Sequence, residues 1–213
     1  SFTIPLPQDK GTGLGKPLKI INHLVKEDIP IAIASLGPKS VETTAEIADA
    51  WLPAFYTPEA ADAVWGESLK AGKKLRDPNR AVIDIFAGGA VGIGAGMEPH
   101  REKGRAGAAL YIGGMGARSK NFYNDIFSKS GYAEEAKLIQ DLYLSGKKDA
   151  AAAAIPDDYL AKSSLIGEEA FVTDRINALK ESGVTTLNVS FIGSDSSERI
   201  HQCERLKNLV EKL

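Results

Sequence analysis

The run IAIASLGPKSVETTAEIADAWLP, Ile31 to Pro53, sets the reading of the whole chain. Its first part continues an apolar, branched stretch from Ile29 to Leu36, bounded by Pro30 and Gly37. Such a stretch predicts a strand buried on both faces. Gly37-Pro38-Lys39-Ser40 predicts a turn with Ser40 as helix N-cap. Val41, Thr44, Ile47, Ala48 and Trp51 then recur at helical spacing, which predicts a helix over 41–49. Residues 51–56, WLPAFY, read as the next strand.

The same alternation continues downstream. Pro58-Glu59 opens a helix with Ala63, Leu69 and Leu75 on its apolar positions, and residues 81–87 read as a third strand. The Gly-dense stretch Gly88 to Gly96 has no clear element. Residues 99–164 read as mostly helical, with breaks at Gly113 to Gly116, Gly131, Gly146 and Pro156. Glu168 to Glu181 is an amphipathic helix stopped by Gly183. A fourth strand, 185–191, and a last helix, 196–213, complete the chain. Residues 1–18 are a Gly- and Pro-rich loop.

Strands alternating with helices predict a parallel α/β sheet. A closed (β/α)8 barrel needs eight strands and typically about 250 residues. Four strands therefore predict half a barrel with two open edges. The rest would come from residues outside this sequence or from a partner chain. The opening Ser1-Phe2-Thr3, with neither Met nor a signal pattern, reads as a start inside a larger protein.

Of the 213 residues, 43% are hydrophobic and 25% charged, the balance of a soluble globular domain with a sizeable core. A net charge of -2 with dispersed basic residues gives no pull toward nucleic acid or anionic membrane. No apolar run approaches the roughly 18 residues of a membrane helix. The single cysteine, Cys203, excludes an intrachain disulfide and a cysteine metal site, and the cytoplasm is the expected compartment.

Several motifs fail on detail. Gly11-Thr12-Gly13-Leu14-Gly15-Lys16 lacks the Ser or Thr that a phosphate loop needs after its Lys, because Pro17 stands there. It also lacks a dinucleotide fingerprint's third glycine and preceding strand. His23, His100 and His201 are far apart, with no carboxylate at ligand spacing, so no metal site is expected. The pairs Asp157-Asp158 and Glu168-Glu169 sit at helix starts, where the helix dipole accounts for them.

The turn after the first strand carries more. In a barrel it lies at the C-terminal rim, where active sites are built. Ala34, Ser35 and Gly37 are small enough for a flat ring or a phosphate to approach the backbone. The amides of Lys39, Ser40 and Val41 would point out of the helix start toward an anion. A plain βα turn favours the same residue types, so the residues alone leave both readings open.

This stretch resembles the luciferase-like monooxygenase superfamily, especially its actinobacterial deazaflavin-dependent branch, whose members commonly read LGPKNVE…AEIADGWLP. Pro5-Leu6-Pro7 with Gly11 to Lys19, Ala109 to Gly116, Lys120 to Asn124, and Ile139 to Leu144 resemble the same branch in the same order. Ala50 departs from the usual glycine, and Leu36 stands where some members carry a second Gly.

The resemblance implies a (β/α)8 barrel present here as its C-terminal portion, one domain over 1–213, with 99–164 as a helical insertion near the mouth. It implies hydride transfer between coenzyme F420, an 8-hydroxy-5-deazaflavin, and a small organic substrate, or alternatively monooxygenation with FMN. Ala34, Ser35, Leu36 and Gly37 would line the cofactor, with Pro38, Lys39 and Ser40 beside it. Gly113, Gly114, Met115 and Gly116 would shape the substrate pocket. The family's catalytic motifs belong to the first barrel half, so no catalytic residue carries over. A reading from another class is a catalytically inactive barrel remnant. It would act as a subunit or binding module through its open edges, as a homo-oligomer or paired with the missing half.

Overall fold

Strand and helix alternate along the chain because apolar runs bounded by Gly and Pro are followed each time by an amphipathic helix. The computed structural model describes residues 4–16, 21–23, 25–26 and 29–213. The predicted loop at 1–18 is free of helix and strand where described, and residues 1–3 and 17–18 of it lie outside the described residues. The strands are β1 (Ala32–Ala34), β2 (Ala50–Leu52), β3 (Asp84–Ile93), β4 (Leu165–Gly167) and β5 (Thr186–Phe191). All pairings between these strands are parallel. β1 pairs with β2, and β2 with the start of β3. The middle of β3 pairs with β5, and its end pairs with β4.

Among the described residues five strands are present where four were expected. β4 is only three residues long, too short for any periodicity to reveal. β3 also runs through the Gly-dense stretch. A Cβ at Gly88 would stand 2.5 Å from the Asn188 carbonyl, and one at Gly89 would stand 2.5 Å from that of Ser163. Glycine is needed there because neighbouring backbone comes this close. The predicted strand 51–56 shortens to Ala50–Leu52, since Pro53 cannot donate to a ladder and Phe55 turns the chain at φ 59°.

Helices α1 (Pro38–Ile47), α2 (Pro58–Ala61), α3 (Glu67–Leu75), α9 (Glu169–Glu181) and α10 (Ser196–Val210) accompany the strands. Arg76 satisfies the C-terminal carbonyls of α1, its Nη1 donating to Ala45 and Ala48 at 3.1 and 2.7 Å. The register places Ile33, Trp51 and Ile85 on one face of the sheet, with Ala87, Leu187, Val189 and Phe191. That face joins the main core with Val172, Ile176, Leu206 and Leu209 of α9 and α10. The opposite face carries Ala32, Ala34, Asp84, Thr186, Asn188 and Ser190, all exposed. The first strand is therefore not buried on both faces as expected. Its alternation is exposed, half-buried, exposed, with Ala32 and Ala34 on the second face open, although Ala50 next to Ala32 on that face is buried.

A second core lies in the helical segment between β3 and β4. It comprises a 3-10 turn (Glu98–Lys103) followed by α4 (Gly104–Gly114), α5 (Phe122–Phe127), α6 (Ala133–Leu144), α7 (Lys148–Ala153) and α8 (Asp157–Lys162). Ile112, Phe127, Ile139 and Tyr159 are its buried centre.

Candidate functional site at the strand ends

The turn from β1 into α1 is fixed by hydrogen bonds from several directions. The Trp51 indole donates to the Ser35 carbonyl at 3.0 Å, and the Trp65 indole donates to the Leu36 carbonyl at 3.1 Å. Both rings are fully buried and meet edge to face at 5.3 Å. The Ser35 hydroxyl, itself buried, shares a 2.8 Å hydrogen bond with the Thr44 hydroxyl. Thr44 also donates to the Ser40 carbonyl at 2.7 Å. A turn tied this way holds its backbone in one conformation.

The helix begins earlier than expected. Gly37 is the N-cap, not Ser40, and Pro38 takes the first helical position, where its missing N–H costs nothing. Ser40 sits one turn inside and its hydroxyl donates back to the Gly37 carbonyl at 2.8 Å. Among the described residues no side chain caps α1 and its first turn holds no acid, so the helix start is a positive pole without a built-in anion. Lys39, almost fully exposed, pairs with Glu42 at 2.8 Å. Ala34 is exposed at the strand end, while Leu36 and Gly37 are half-buried.

The helical segment reaches this turn through Phe122. A Cβ on Gly37 would lie 3.4 Å from the Phe122 ring, so that ring stands about one carbon's width off the glycine and borders the turn. Phe122 remains half-exposed, yet its backbone is tightly held. The buried Asn121 beside it donates to the Tyr111 and Ile112 carbonyls at 3.1 and 3.0 Å. The same side chain caps α5, accepting from the amides of Tyr123 and Asn124.

Gly113 to Gly116 prepare this arrangement. α4 continues through Gly113 and Gly114, where Tyr143 of α6 packs so closely that a Cβ on Gly113 would lie 2.5 Å from Tyr143 Cβ. A Cβ on Gly116 would stand 2.9 Å from the Asn121 Cα. Met115 between them is half-exposed. The sequence singled out these glycines but not Asn121, whose role depends on contacts outside its local pattern.

A second bridge was also missed. Phe55, in the loop after β2, lies 5.8 Å from the Tyr111 ring, 5.5 Å from Tyr123 and 6.3 Å from Tyr159. Burial pushes the Tyr159 phenol well above its usual range, helped by Tyr132. The Tyr132 phenol is likewise raised, first by burial, and donates to Asp158 at 2.7 Å beside Lys162. Both phenols keep their protons at neutral pH, so this cluster joins the two cores and supplies no base.

His100 and His201, far apart in sequence, line one cavity of about 410 Å³ with Lys103, Gly193 and Gln202. Gln202 and Arg205 of α10 hold the end of β3 there, donating to the Ile93 carbonyl at 3.3 and 2.7 Å. Among the described residues no group of three His, Cys, Asp or Glu could hold a metal. No helix among them is long and apolar enough to cross a membrane.

The chain matches the family described as luciferase-like monooxygenase over residues 2–186. It is 33% identical over 214 residues to a Mycobacterium tuberculosis protein named "Putative coenzyme F420-dependent oxidoreductase", covering 96% of this chain and 58% of that one. It is 26% identical over 191 residues to the 5,10-methylenetetrahydromethanopterin reductase of Archaeoglobus fulgidus, covering 87% and 54%. Among solved structures, the coenzyme F420 dependent tetrahydromethanopterin reductase of Methanopyrus kandleri superposes with a TM-score of 0.61 at 23% identity, covering 82% of this chain and 48% of that one. An F420-dependent secondary alcohol dehydrogenase, solved with an F420-acetone adduct, gives 0.58 at 13% identity, covering 86% and 49%. These two likenesses concern the fold. The chain spans little more than half the length of the curated relatives it matches.

Proposed function

Because the chain belongs to the luciferase-like monooxygenase family, we propose that it is the cofactor-holding part of a barrel oxidoreductase. The whole protein would transfer hydride between coenzyme F420 and a small organic substrate in the cytoplasm. The observation that carries this reading is the Ser35 to Ser40 turn. It is locked by two buried indoles, opens at a glycine, and ends in a helix start that no side chain among the described residues caps.

The turn fits such a group. Gly37 leaves room that a side chain would fill against Phe122. The helix start offers backbone amides to a phosphate. Ala34, Ser35, Leu36 and Gly37 would line the ring, with Pro38, Lys39 and Ser40 toward the anionic end. Bound there, the deazaflavin supplies the hydride chemistry. The chain's own residues orient the ring and keep water out. The helical segment over 99–164, joined to the rim through Phe55 and Phe122, is read as an insertion that covers the mouth. Gly113 to Gly116 would shape its substrate side by letting Tyr143 and Asn121 pack close.

Calorimetric titration with F420 and, separately, FMN tests the reading. F420 is expected to bind saturably. Ser40→Asp should weaken binding, because the added carboxylate occupies the positive helix pole, while leaving the helix as stable or more so. Binding of FMN in place of F420 would favour the monooxygenase alternative. Binding of neither would overturn the proposal and leave a barrel remnant acting through its open strand edges.

A further inference from the structure

We propose that Phe122 is the aromatic wall against which the planar ring of the bound cofactor packs, a role that rests on the cofactor reading of the Ser35 to Ser40 turn. Three observations lead there. A Cβ built on Gly37 would just touch the Phe122 ring at 3.4 Å, so the ring borders the turn across a narrow gap. Half of its surface is open, although nearby Phe127 and Tyr159 are buried. Its position is nevertheless fixed, because Asn121 makes four hydrogen bonds around it and Asn124 adds two, to the Ile112 and Ala136 carbonyls at 3.1 and 2.9 Å.

An exposed phenylalanine on a loose loop would mean little. An exposed ring held beside the turn by a buried asparagine is a preorganised surface. Its chemistry selects a flat, apolar heteroaromatic face, because aromatic rings gain from offset or edge contacts beyond plain area burial. The ligand class is therefore a fused planar ring such as a deazaflavin.

The test compares F420 affinity, by calorimetry, and thermal midpoint for the unmodified protein and for Phe122→Ala, Phe122→Leu and Phe122→Tyr. Because the ring is half-exposed, all three variants should fold. The expected result is binding about tenfold weaker in the Ala and Leu variants and close to unchanged in the Tyr variant. A ring that served packing alone would lower the thermal midpoint and leave affinity untouched, which would overturn the inference. Leu binding as tightly as Phe would overturn it too, since bulk and not aromaticity would then suffice. Failure of the unmodified protein to bind F420 would instead bring down the cofactor reading, and this inference with it.

Discussion

The Ser35 and Thr44 hydroxyls meet at 2.8 Å inside the protein, joining the end of β1 to the middle of α1. Thr44 is almost wholly buried and also donates to the Ser40 carbonyl. Thr44→Val keeps the shape and removes both bonds. It should cost about 1–2 kcal/mol, because the Ser35 hydroxyl loses its partner out of water. Urea unfolding of the two proteins checks this, and an unchanged midpoint would show that the pair contributes nothing to holding the turn.

α1 and α3 touch at Gly72, where an added Cβ would lie 2.6 Å from the Ala45 Cβ and run into the Glu42 backbone. Alanine favours helix by about 1 kcal/mol over glycine. Overpacking against backbone should exceed that gain, so Gly72→Ala is expected to destabilise by about 1–3 kcal/mol. A rise in thermal midpoint would mean that the helices can part at little cost.

Arg175 on α9 is buried, pairs with Glu59 and donates to the Lys162 carbonyl at 2.6 Å. Burial pushes the Glu59 carboxyl up, but the Arg175 hydrogen bond, a backbone hydrogen bond and the charges of Arg175 and Lys162 together outweigh it and hold it below the usual range. A depressed carboxylate contributes stability above its unfolded pKa, near the ordinary value of 4.5, and loses it as pH falls through the folded value. Glu59 is partly exposed, so the contribution is about 1 kcal/mol. Glu59→Gln should lower stability at pH 7 and flatten the acid side of the stability curve. Parallel acid limbs for the two proteins would remove Glu59 from that account.

Phe55 holds the helical segment to the sheet at a backbone φ of 59°, a conformation that branched or bulky residues seldom adopt. Its ring contacts Tyr111, Tyr123 and Tyr159, and that contact outweighs the strain. Phe55→Ala should cost about 1–3 kcal/mol. Amide exchange should rise first in α4 and α5 if the ring couples the two cores. Uniform exchange across the protein would argue that they are joined elsewhere.

The order of elements was legible because each apolar run and each helical face follows its own period. The turn at Ser35 to Ser40 was legible too, from its small residues. Its cap was not, since Ser40 and Gly37 both suit the position and only Pro38 at the first helical place separates them. The first half of β3 was legible at 81–87, but its second half was hidden because glycine ordinarily marks a loop, whereas here the Asn188 and Ser163 carbonyls demand it. β4 was too short to see. The meeting of Phe122 with Gly37 joins distant parts of the chain, and neither residue's surroundings announce it.

Both tryptophans of the chain, Trp51 and Trp65, donate their indole N–H to this one turn. All indole emission from the protein therefore originates within a hydrogen bond of Ser35 or Leu36. The fold carries its own optical reporter at the rim, and anything that settles there or shifts that backbone will change the intrinsic fluorescence without a label.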